Sequence, residues 1–386
     1  MVVVGPKRLA PRSLERTKKY LCHSLKGYFS RHDPCFTAES GRACLSLASW
    51  PLGAVKELQA IVRALCASTA SEFVLATLVT VEGSSYRRPG ARLLIPTRDR
   101  RIGSISGGCL EEDVLARAHR VHAAGKPETV IYDTTSENDL VWGVGLGCHG
   151  ITRVLLEKIP PRPAWALALA NAFAARSSVR IAVVHDGRSL PLGTHLASEL
   201  PASAGPEIGV FLQTISPPTA LILFGAGDDA QPLARLAKEL GWRVTIADPR
   251  PAFATPERFP MADAWVVAPA PELVARTAPD ADTLAVVMTH HYVHDVPLLR
   301  GLLPLPLAYL GLLGPKKRAE KILADLGTEG FTVTPEQRAR LHAPVGLDLG
   351  ADGPEQVALA IVAEMQAILA GRSARPLRQR SRPIHE

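Results

Sequence analysis

Residues 221–248 read Leu221-Ile222-Leu223-Phe224-Gly225-Ala226-Gly227-Asp228-Asp229-Ala230-Gln231-Pro232-Leu233-Ala234-Arg235-Leu236-Ala237-Lys238-Glu239-Leu240-Gly241-Trp242-Arg243-Val244-Thr245-Ile246-Ala247-Asp248. The stretch opens on an apolar strand, Ala220 to Phe224, and turns through Gly225-Ala226-Gly227-Asp228-Asp229-Ala230, a G-x-G-x-x-A pattern. Gly225 permits the tight turn, Gly227 lets a phosphate approach the backbone, and the small Ala230 lets helix and strand pack closely. Leu233, Leu236, Ala237 and Leu240 share one helical face, and Gly241 ends the helix. A second strand, Arg243 to Ala247, ends at Asp248, where a ribose-binding carboxylate belongs. This is the first βαβ unit of a nucleotide-binding fold. Asp228 places an acid beside the expected phosphate position, which is tolerable if it caps the helix and points away.

Outward from this unit, Pro217-Pro218 marks a boundary before it, and strands alternate with helices after it to about Leu341. Gly353-Pro354-Glu355 starts a last helix carrying Val357, Ala360, Ile361, Ala363, Glu364 and Ile368. Upstream, a helix over 52–67 precedes the β-branched strand 73–81. Shorter strands follow at 91–95, 101–105, 130–133 and 152–157, with a helix from Leu110 to Ala123 among them. The fold class is α/β. A C-terminal Rossmann-like doubly wound parallel sheet is expected over 217–350, with a helix over 351–371 and a basic tail over 372–386. An N-terminal mixed α+β domain is expected over 51–160. Residues 161–216 then form a bridging segment, and 1–50 a basic extension expected to be disordered.

Charge supports that division. Residues 1–50 carry a net +6 and 371–386 a net +4, so of the total of +7 the body holds −3. A nucleic-acid partner would want a basic face on a folded domain, and none is expected. No apolar run approaches the roughly 18 residues of a membrane span, and no signal peptide is visible, so a cytoplasmic location is expected. The six cysteines are too sparse for a disulfide framework.

Several other stretches carry chemistry. Gly314, Lys316, Lys317 and Arg318 open a helix after the strand 307–311, where cations are unfavourable against the helix dipole unless an anion sits nearby. His290, His294 and Asp295 follow the strand 284–287 and are candidates to ligate a metal or move protons. In the first domain, Gly107-Gly108-Cys109 leads into a helix, where backbone N–H groups and the dipole favour a thiolate while Glu111, Glu112 and Asp113 compete for the same dipole. Cys148 lies in a glycine-rich loop, Gly143 to Gly150, and the two cysteines suggest a soft-metal or sulfur site. Ser84, Ser85 and Arg87 add donors suited to an anion.

Taken in order, these stretches resemble the XdhC/CoxI family of maturation factors for molybdenum hydroxylases. The matching residues include Gly83-Ser84-Ser85 with Arg87 and Pro89-Gly90, Ser106 to Glu111, and the Cys148 loop. Phe224 to Gly227, Asp248-Pro249-Arg250, Met288-Thr289-His290, Gly311 to Gly314 and Pro344 to Gly350 also match, so the likeness covers roughly 52–370. The resemblance implies a protein that binds molybdenum cofactor (molybdopterin), promotes its sulfuration with a cysteine desulfurase, and inserts it into an apo molybdenum hydroxylase. It implies no turnover of its own, and a homodimer is expected. Cys109 and Cys148 match the family's cysteines and become candidate contacts to molybdenum or its terminal sulfur. Arg250, His290 and the Gly225 turn become candidate cofactor-binding positions. Two departures stand out: Cys148-His149-Gly150 replaces the family's Cys-Gly-Gly, and Asp228 replaces a histidine. The competing expectation is an NAD(P)-dependent oxidoreductase built on Gly225 to Asp248.

Overall fold

The computed structural model describes residues 56–69, 73–96, 101–135 and 150–381. The expectations for residues 1–50, for Cys148 with His149, and for the last five residues of the basic tail lie outside the described residues.

The chain begins with helix α1 (Lys56–Ala67), followed by strands β1 (Phe73–Gly83), β2 (Arg92–Pro96) and β3 (Ile102–Gly103). Helix α2 (Glu111–Ala124) and strands β4 (Glu128–Asp133) and β5 (Gly150–Ile159) complete an antiparallel sheet of order β3-β2-β1-β5-β4. Alternation along β1 sets the two faces. Val74, Ala76 and Leu78 pack with Val114, Ala118 and Val121 of α2. Leu75 and Val79 face the other way, against Leu58, Ile61, Val62 and Leu65 of α1.

That second face is closed by residues downstream of Pro160. Helix α3 (Ala164–Ala175) inserts Trp165, Ala166, Leu169 and Phe173 into the same core. Strands β6 (Val179–Val184), β7 (Gly193–Leu196) and β8 (Val210–Ile215) form a small antiparallel sheet of order β7-β6-β8, which adds Ile181, Val183 and Ile215. Residues 164–215 therefore share a core with the first sheet.

The second domain is a parallel sheet. Its strands are β9 (Ala220–Phe224), β10 (Arg243–Asp248), β11 (Ala264–Val267), β12 (Thr283–Val287), β13 (Tyr309–Leu312) and β14 (Leu341–His342). Their order is β11-β10-β9-β12-β13-β14, with every pairing parallel. This is the doubly wound order of a Rossmann sheet. Leu221 and Leu223 face helix α4 (Ala230–Leu240), while Ile222 and Phe224 face the opposite layer. That layer holds α5 (Ala270–Thr277), α6 (Tyr292–Leu302) and α7 (Lys316–Thr328). After α8 (Pro335–Arg340) and β14, helix α9 (Pro354–Leu369) returns to pack beside α4. Each fully buried leucine in these layers contributes about 1.5–3 kcal/mol. No helix among the described residues is long and apolar enough to cross a membrane.

Candidate functional site

The strand order reverses between β9 and β12, so a ligand crevice is expected at their carboxyl ends. The turn after β9 and the turn after β12 touch there through backbone. Gly225 has φ +129°, and a Cβ on it would fall 2.4 Å from the Met288 carbonyl oxygen. No L-residue with a side chain fits that space, so the first glycine of the pattern is demanded by the neighbouring strand as well as by the turn.

Asp248 ends β10 fully buried. Its Oδ2 accepts the Ala226 N–H at 2.8 Å and Arg250 Nη2 at 2.9 Å. Its Oδ1 accepts the Arg250 backbone N–H at 2.8 Å and Arg250 Nε at 2.9 Å. Four donors fill the acceptor sites of a carboxylate, so the expected ribose-binding acid is committed to its own chain. Burial pushes its pKa up, but the Arg250 side chain and the two backbone N–H groups outweigh burial and hold it below the usual carboxylate range. The Arg250 guanidinium also lies 3.7 Å from the centroid of the Phe253 ring, on which Arg258 packs as well.

The acids of the glycine turn are also paired. Asp228 makes no helix cap. It is exposed and binds Arg258 Nη2 at 2.9 Å, and that nitrogen also donates to the Ala226 carbonyl. Asp229 is the N-cap residue of α4 but makes no side-chain cap bond, and its Oδ2 lies 2.7 Å from His290 Nε2. His290 is held at φ +61° in the β12 turn. Asp295 is buried, accepting the Thr289 hydroxyl at 2.5 Å and Arg318 at 2.6 and 3.0 Å. The structure does not gather His290, His294 and Asp295 into one ligand set. Asp295 is taken by Arg318, His290 by Asp229, and no cluster of three metal-ligating side chains occurs among the described residues. The anion that Arg318 needs at the start of α7 is Asp295. Lys316 and Lys317 stay exposed beside Gly314, which has φ +134°.

The first-domain loops form a second group. Ser84 and Ser85 follow β1, and Gly150 at the start of β5 lies so close that a Cβ would meet the Ser84 carbonyl at 2.4 Å. Thr134 closes the same corner, exchanging hydrogen bonds with the Gly150 backbone at 2.8 to 3.1 Å. Arg87, expected to be free for an anion, grips both oxygens of Glu57 on α1. The Tyr86 ring lies 3.6 Å from where a Cβ on Gly107 would sit. Glu111 braces the cysteine loop. It is buried and accepts the Ser106 backbone and hydroxyl and the Ser104 hydroxyl. Burial raises its pKa, but the Ser106 and Ser104 donors outweigh burial and leave it lowered. Ser106 Oγ in turn accepts the N–H groups of Gly108 and Leu110 at 3.2 Å. Two of the donors expected to serve a Cys109 thiolate are thus already used. Cys109 itself is a free, half-buried thiol against the α2 core.

Sequence reading named the glycines, Ser106, Glu111, Asp295 and Arg318, but not the Ser106–Glu111 and Arg318–Asp295 pairings, and it did not name Arg258. The spacing of Ser106 and Glu111 around Gly-Gly-Cys-Leu was the one local signal for any of them.

Among the described residues, no hydrogen bond or ion pair joins the two groups. Lys56 pairs with Glu239 at the carboxyl end of α4, and Arg176 holds Asp280 before β12 and donates to the Pro218 carbonyl before β9. The first domain therefore docks on the amino edge of the Rossmann sheet. The glycine turn lies on the carboxyl edge, about 15 Å away along α4.

The family model described as the XdhC Rossmann domain matches residues 221–365, and that of the XdhC and CoxI family matches residues 66–133. The chain is 36% identical over 314 residues to a probable xanthine dehydrogenase subunit from Bacillus subtilis, covering 76% of this chain and 92% of that protein. It is 26% identical over 298 residues to the molybdenum cofactor insertion chaperone PaoD of Escherichia coli, covering 76% of this chain and 83% of that protein. Among solved structures it is similar to a xanthine dehydrogenase from Bacillus halodurans. The TM-score is 0.70 at 30% identity, over 83% of this chain and 98% of that one. With two family models in the order read from the sequence and a relative matched over nearly its whole length, the chain belongs to the XdhC and CoxI family.

Proposed function

We propose that this protein binds molybdenum cofactor in the cytoplasm, promotes its sulfuration together with a cysteine desulfurase, and inserts it into an apo molybdenum hydroxylase of the xanthine or CO dehydrogenase type. The observation that carries this reading is the state of the Rossmann carboxyl edge. It keeps what an anionic cargo needs: a glycine turn, the exposed Lys316 and Lys317, and an Asp228 whose charge Arg258 offsets. It lacks what a dinucleotide needs, because Asp248 is saturated by Arg250 and the Arg250 guanidinium is committed to Asp248 and Phe253. The similarity to a protein named as a molybdenum cofactor insertion chaperone supports the same reading. Molybdopterin brings a phosphate suited to the basic turn and a sulfur-bound metal suited to a soft Cys109 ligand.

The test is retention of cargo. Purified protein incubated with molybdenum cofactor released from a denatured hydroxylase is expected to hold molybdenum and pterin in equal amounts through gel filtration. A Cys109→Ala, Cys148→Ala protein is expected to lose most of the molybdenum. Saturable binding of NADH or NADPH, abolished by Asp248→Ala, would favour the oxidoreductase instead.

A further inference from the structure

We propose that the cofactor site is completed in trans, with the first-domain loops of one copy closing over the Rossmann carboxyl edge of a second copy. This rests on the proposed function, since it assigns one cargo to both groups of residues.

Within one chain the described parts of the two groups lie toward different edges of the parallel sheet. The Ser84–Ser85 and Gly107–Cys109 loops belong to a domain docked on the amino edge of the parallel sheet. The Gly225 turn, Lys316 and Lys317 lie on the carboxyl edge. No hydrogen bond or ion pair among the described residues joins one group to the other. The connection between the two domains is short and clamped. Only residues 216–219 connect β8 to β9, and two of them are Pro217 and Pro218, with fixed φ. Arg176 clamps this connection through the Pro218 carbonyl and grips Asp280 beyond it.

A second copy supplies what one chain does not. In a twofold dimer each contact is made twice, so the loops of one copy reach the crevice of the other and the reverse also holds. Each half-site carries one large apolar side chain left exposed at its edge. Tyr86, packed on Gly107, is 67% exposed, and Val293, in the first turn of α6 beside the β12 turn, is 73% exposed. A large exposed aromatic such as Tyr86 is a residue type that interfaces bury.

The experiment uses crossed heterodimers of the full chain carrying two different affinity tags. One set joins a Cys109→Ser copy to a Lys316→Glu, Lys317→Glu copy. The other joins a copy with all three changes to a wild-type copy. Molybdenum and pterin are counted per dimer after loading with released molybdenum cofactor. Sharing in trans leaves the first set one intact site, about half the wild-type load, and leaves the second set none. Sites built within single chains give the reverse pattern, which overturns the proposal, as does a wild-type protein that is loaded while monomeric by sedimentation. Full loading of either homodimeric variant also overturns it, because the changed residues then lie outside the site. A wild-type dimer that takes up no cofactor fails the functional reading instead.

Discussion

Asp248 receives four hydrogen bonds from its own chain, and its carboxylate is accordingly worth more to the folded state than to the unfolded one. Its lowered pKa fixes the sign of the pH dependence. The stabilisation is fully present above the unfolded value of about 3.9 and is lost as pH falls through the lower folded value. Asp248→Asn is therefore expected to cost about 1.5–3 kcal/mol at pH 7, the worth of hydrogen bonds to a charged group. The gap to wild type should begin to narrow near about pH 4 and close only below the lower folded value, which urea denaturation at several pH values would measure. A gap independent of pH would show that charge is not the cause. This residue also marks where sequence reading stopped. An acid after the second strand was visible, but whether it faces a ligand depends on the rotamer of Arg250, two residues on, and periodicity carries no rotamers. Arg318 is similar: the need for an anion was legible at the helix start, while the anion, Asp295, sits 23 residues away in sequence.

At the scale of elements, the sequence was most readable where period and punctuation agree. Strand β9, helix α4, its Gly241 stop and strand β10 follow the expected bounds closely because one apolar face per element has one layer to bury it in. Strand β14 was not legible. It is two residues long, and its place at the sheet edge depends on pairing with β13 rather than on its own pattern. The same dependence on a neighbour governs the glycine turn. Gly225→Ala should strain both the turn and the Met288 carbonyl, and we expect a loss of about 2–4 kcal/mol. Gly108→Ala offers a control. It also has positive φ, at +117°, but a Cβ there meets nothing within 4 Å. Thermal denaturation of the two variants side by side should give the larger drop for Gly225→Ala, and equal drops would mean backbone strain alone sets the cost.

For the whole molecule, the joint between domains is polar and partly closed. Lys238 and Asp263 are nearly inaccessible, and burial lowers the lysine pKa and raises the aspartate pKa despite their pairing at 2.8 Å. Asp263→Ala leaves a buried ammonium unpaired and frees the Val244 N–H. It is expected to cost about 3–5 kcal/mol. Scanning calorimetry would detect this as a lower transition, and an unchanged transition would show that water already reaches the lysine. Helix α9 has a further consequence, one of timing. Ala358, Ile361, Val362 and Met365 fill the core beneath β9 and α4, so the second domain lacks part of its interior until the last tenth of the chain has been synthesised. The first domain's core is complete by Ile215. On the ribosome the first domain can close while the second waits for its final helix, and a message cut short before codon 354 would yield a half-finished protein that exposes an apolar sheet to proteases.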